Sequence, residues 1–96
     1  MTASFDCLAG ASLEVGCGTA CGLGTCVPDA MLRVCAGDAA CTSREALTYA
    51  DEGCGITFAG RCPLAAVTCP PGGRITVMTA PYLVGDGGAM CMPGVR

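Results

Sequence analysis

The chain has 96 residues, a net charge of -3, 14% charged residues and ten cysteines, the composition of one disulfide-dependent domain. Its five basic residues, Arg33, Arg44, Arg61, Arg74 and Arg96, are scattered singly, which excludes a basic footprint for nucleic acid. Lys, His, Trp, Asn and Gln are absent, so the chain has neither the bases of the common nucleophilic triads nor an acceptor for N-glycosylation.

In chain order, the first stretch, 1–41, holds six of the cysteines. Leu13-Glu14-Val15 and Met31-Leu32-Arg33-Val34 are its strand-like runs, so this half reads as loops with short extended pieces. Pro28-Asp29 is also compatible with opening one helical turn that ends near Gly37. Thr42-Ser43-Arg44-Glu45 has the form of a capping box, and Gly53 stands where a C-terminal cap belongs. This spacing predicts a helix over 43–52, with Ala46, Leu47 and Ala50 on one face. Alternating apolar residues then predict strands over 55–60, 65–69 and 74–80. Pro70-Pro71-Gly72-Gly73 joins the last two, which predicts a C-terminal β-hairpin over 65–80. Tyr82-Leu83-Val84 reads as a short edge strand, followed by a glycine-rich turn. The expected fold is small, disulfide-rich and mainly β with one short helix. It forms a single domain over 1–96, with a loop-rich half 1–41 and a helix-plus-hairpin half 42–96.

Hydrophobic residues make up 52% of the chain, but Ala and Cys supply half of them. A core of such small pieces opposes on the order of 100 kcal/mol of conformational entropy, and cross-links contributing about 2–4 kcal/mol each are the natural supplement. Cys7, Cys17, Cys21, Cys26, Cys35, Cys41, Cys54, Cys62, Cys69 and Cys91 are therefore expected to form five disulfides, with their pairing open. Such a framework persists in oxidising surroundings, so the expected location is extracellular or periplasmic. Met1 to Cys7 has neither a basic nor an apolar leader region, so the expectation is that a leader has been removed or that the chain is a piece of a longer precursor. No apolar run approaches the roughly 18 residues of a membrane span.

The rival uses of cysteine are poorly served by the spacing. Zinc sites favour two close Cys pairs or a His pair, whereas only Cys17-x3-Cys21-x4-Cys26 is closely spaced. Met90-Cys91-Met92 offers soft sulfurs for Cu(I), but in an extended chain the two methionines point away from the cysteine side. No C-x-x-C exists for thiol redox catalysis. Asp51 and Glu52, as helix neighbours, would point about 100° apart, unlike the facing carboxylates of a glycosidase. Asp86 lacks the calcium-loop pattern around it. The chain is expected to be no enzyme and to use no metal or cofactor.

The segment Cys7-x9-Cys17-Gly18-Thr19-Ala20-Cys21-x4-Cys26 resembles the opening of trypsin-inhibitor-like cysteine-rich domains over about 20 residues. That resemblance implies ten cysteines in five bridges and a protease-facing loop at 36–40, centred on Gly37, Asp38 and Ala39. From the residues themselves the expected function is a secreted, disulfide-stapled structural or binding module whose partner is a protein or a second copy of itself. A cysteine-rich protease inhibitor and a thiolate metal-binding protein are the alternatives.

Overall fold

Residues alternate between more and less exposed positions over 2–6 and 30–34, the period-two pattern of strands. The computed structural model describes residues 2–27, 30–54, 62–81 and 90–96. Among these residues the chain forms β1 (Thr2–Asp6), β2 (Ser12–Gly16), a 3-10 turn (Thr19–Cys21), β3 (Thr25–Val27), β4 (Ala30–Ala36) and β5 (Thr48–Ala50). There follow β6 (Leu64–Thr68), β7 (Arg74–Pro81), β8 (Met90–Met92) and β9 (Gly94–Val95). They make a four-stranded sheet in the order β1-β7-β4-β5, a three-stranded sheet β6-β2-β9 and a ribbon β3-β8. Every pairing is antiparallel. The disulfide-rich, mainly β architecture is the one the sequence predicts.

The core lies where the sheets meet. Ala30, Leu32 and Val34 of β4 and Ile75 and Val77 of β7 are buried in one cluster with Val15 and Ala65 from the three-stranded sheet. Leu32, Ile75, Val15, Val34 and Val77 are the largest of its fully buried apolar side chains, each contributing about 1.5–3 kcal/mol. β-Branched residues predominate there because they fit a pleated, buried surface at little rotamer cost.

Disulfides complete what this small core begins. Cys7–Cys69 joins the end of β1 to the end of β6, and Cys17–Cys91 joins the end of β2 to β8. Cys21–Cys54 and Cys26–Cys62 tie the 3-10 turn and β3 to the segments flanking the 55–61 stretch. Cys35–Cys41 closes a short local loop. Cys26 and Cys91 face each other across the β3-β8 ribbon, yet each is bonded to a different cysteine.

The expected helix over 43–52 does not form. The capping-box contacts do exist, since the amide and hydroxyl of Thr42 donate to Glu45 Oε1 at 3.0 and 2.9 Å and the Glu45 amide donates to the Thr42 carbonyl at 3.1 Å. They close a turn only. The Cys35–Cys41 bridge folds the chain back along β4, Leu47 donates its amide to the Val34 carbonyl at 2.8 Å, and Thr48–Ala50 pairs with β4 as β5. A ten-residue helix is marginal alone, and it loses to an open sheet edge facing β-prone Thr48 and Tyr49.

The hairpin over 65–80 is also corrected. Both strands form nearly as expected, and the turn closes with the Gly73 amide on the Pro70 carbonyl at 2.9 Å. The strands nevertheless belong to different sheets, β6 pairing with β2 and β7 lying between β1 and β4. Cys69 is held to the β2 side, its amide donating to Ala11 and its carbonyl accepting from Gly10, so the turn is a corner between sheets. The loop-rich reading of 1–41 gives way to four strands, and the helical option opened by Pro28-Asp29 gives way to β4. The expected strands at 55–60 and 82–84 lie outside the described residues.

Candidate binding surface

The outward face of the four-stranded sheet carries Tyr49, the most exposed aromatic side chain among the described residues. Register places Thr2, Met78, Arg33 and Tyr49 in one row across β1, β7, β4 and β5. Tyr49 is 72% exposed. Arg33 is fixed beside it by donating to the Cys41 carbonyl at 2.7 Å, and the sulfurs of Cys35 and Met78 lie 3.7 Å apart. A shallow depression of ≈ 140 Å³ sits between Thr2, Met31, Arg33, Met78 and Ala80. A larger groove of ≈ 440 Å³ opens between Leu47, Thr48, Ser12, Leu13, Val67 and Thr68, and among the described residues no charged side chain lines it.

One end of the same sheet holds the loop singled out in the sequence. Gly37 takes a φ of 80°, donates its amide to the Arg74 carbonyl at 2.9 Å and accepts from the Thr76 hydroxyl at 2.7 Å. Asp38 pairs with Arg74, which also holds Asp6. Asp38 and Ala39 are exposed. Gly37 and Asp38 thus stand in a turn tied to β7 through the Gly37 backbone and the Asp38 side chain.

All ten cysteines are paired, with none free, so the thiolate alternative has no ligands to offer; Cys91 of the Met90-Cys91-Met92 run is bonded to Cys17. Among the described residues no three His, Cys, Asp or Glu side chains group as a metal site would require. Asp6, Asp38, Glu14 and Glu45 are each engaged by an arginine or by Thr42. Glu14 pairs with Arg96 at 2.9 Å, and Arg96 also donates to the Cys21 carbonyl at 2.8 Å. Glu45 has its carboxyl held below the usual value of 4.5 by the amide and hydroxyl of Thr42. Asp51 and Glu52 follow β5 instead of occupying a helix.

A further surface element lay unread in the sequence. β1 forms an outer strand of the four-stranded sheet, with Thr2, Ser4 and Asp6 exposed and Ala3 and Phe5 half-buried. Its period-two pattern is the signal that marks it, weakened by having only one large apolar residue. No family model, curated protein or solved structure matches the chain. The fold and its bridges define a class, a small disulfide-stapled, mainly β module. Among the described residues no helix is long and apolar enough to cross a membrane.

Proposed function

We propose that the chain is a secreted, non-catalytic module that acts by binding, with another protein or a second copy of itself as partner. The observation that carries this reading is the engagement of all ten cysteines in five bridges, an investment that suits oxidising compartments and little else. Supporting it, only 14% of residues are charged against a typical 25%, which lowers the desolvation cost of covering the surface. The row of Tyr49, Arg33 and Met78 combines the residue types that dominate interface energetics.

The test is the intact mass after denaturing alkylation, with and without prior reduction. The expected result is no label on the unreduced protein, at a mass about 10 Da below that of the unlabelled chain with free thiols, from two hydrogens lost per bridge, and ten labels taken up after reduction. Extensive labelling without reductant overturns the reading. Binding is then tested by sedimentation of the purified protein over a wide concentration range and by capture from extracellular fluid of its source; a chain that stays monomeric and captures nothing is no binding module.

A further inference from the structure

We propose that two copies of the chain associate through the outer edge of β1, pairing antiparallel about Ser4 into one continuous sheet of eight strands, four from each copy. The proposal rests on the binding-module reading and names its partner as a second copy.

The direction of the backbone groups follows from one hydrogen bond. The Cys7 amide donates to the Gly73 carbonyl at 2.9 Å, continuing the register that sets Asp6 opposite Arg74. Backbone groups alternate sides along a strand, so Ala3, Phe5 and Cys7 address β7 while Thr2, Ser4 and Asp6 direct N–H and C=O outward. Among the described residues no backbone group pairs with those three.

Among the described residues this edge carries few of the devices that keep sheet edges apart, its one charge being Asp6 at the end of the strand. β1 is five residues long, an ordinary strand length, without Pro, Lys or Arg, and its register with β7 is unbroken by a bulge; regular, unpaired edges of this kind recruit further strands. The other outer strands are less suited. β3, β5, β8 and β9 have three residues or fewer. β6 is equally long, but its outer side turns toward β5, where Leu64 donates to Glu52 at 3.2 Å.

Side chains and charge select a second copy and an antiparallel approach. Centred on Ser4, the pairing sets Thr2 opposite Asp6 of the other copy, a hydroxyl facing a carboxylate, and Ala3 opposite Phe5, a methyl facing a ring. Both relations occur twice by symmetry, as an isologous interface requires. The two Asp6 side chains fall at opposite ends, about 14 Å of strand away from each other, beyond the Debye length of about 8 Å at physiological salt. A parallel, in-register pair would set them side by side.

The experiment is sedimentation equilibrium of the full chain, its Ser4→Pro, Ser4→Lys and Ser4→Ala variants, each with five bridges verified by intact mass. The wild-type mass should rise toward two chains with concentration. Ser4→Pro deletes the central outward N–H without touching a backbone bond to β7, and Ser4→Lys sets two like charges opposite each other; both also lose the Ser4 hydroxyl contact with Thr76 at 2.9 Å, which Ser4→Ala removes alone, and each should weaken association about tenfold or more. The Ser4→Lys loss should recover with added salt, and Ser4→Ala should associate like wild type. If Ser4→Pro fails to fold, Ser4→Lys carries the test. Association that both variants leave unchanged overturns the β1 edge while the binding-module reading stands. A wild-type chain that remains monomeric throughout overturns self-association itself, and the module reading is then decided by capture of a foreign partner.

Discussion

Two glycines with positive φ separate backbone strain from steric contact. Gly24 has φ 53°, and a Cβ there would overlap the Met92 carbonyl oxygen, where β3 and β8 meet. Gly37 has φ 80° with nothing within 4 Å of the same atom. Gly37→Ala should therefore cost only the left-handed backbone penalty, roughly 1–2 kcal/mol. Gly24→Ala should cost clearly more and perturb the adjacent Cys26 and Cys91 bridges. Thermal unfolding with disulfide mapping distinguishes the two. Glu45 gives a prediction in pH. Its carboxylate is bonded by the Thr42 amide and hydroxyl, so its folded midpoint lies below 4.5. The linked stability is fully present above that ordinary value and is lost as pH falls through the lower, folded midpoint. An NMR titration of Glu45 should show this depressed midpoint, and Thr42→Ala, which keeps the amide, should raise it part of the way.

At the scale of elements, the strands of the buried layer carry the stability that apolar packing supplies. Ile75→Ala in β7 removes a fully buried side chain and should cost about 2–5 kcal/mol, whereas Val67→Ala, at a half-buried position in β6, should cost less; denaturant midpoints at unchanged m-value are the measure. How much of these elements was legible follows from the same residues. Ile75, Val77 and Thr79 announce β7, and Met31 to Val34 announces β4, because alternation and β-branching are local signals. Their partners are not local. The turn at 70–73 looks the same in sequence whether it closes a hairpin or turns a corner between sheets, and Cys69 bonded to Cys7 decides for the corner. The capping box at 42–45 is likewise present and correctly bonded, but the free edge of β4 captures the residues after it. For the candidate surface, the exposed loop at 36–40 was visible from its cysteines, while the row of Thr2, Met78, Arg33 and Tyr49 draws one residue from each of four strands and exists only once the register is set.

For the whole molecule, the bridges differ in what they restrain. Cys17–Cys91 spans 74 residues and Cys35–Cys41 spans 6. Loop-closure entropy assigns them about 4.5 and 2 kcal/mol respectively in the chain-entropy description. Replacing Cys35 and Cys41 by Ala should thus leave a folded protein with a modestly lowered melting temperature, and replacing Cys17 and Cys91 should be far more damaging, since both of those cysteines are also buried in the core. Comparative calorimetry of the two double variants checks the order. The long bridges overlap along the chain as well: Cys7–Cys69 and Cys17–Cys91 together straddle every peptide bond from Cys7 to Cys91. A single proteolytic nick anywhere in that span adds one water to the mass but releases no fragment until the disulfides are reduced. In an extracellular setting rich in proteases, a once-cut molecule would circulate as a two-chain protein, visible as one band without reductant and as two with it.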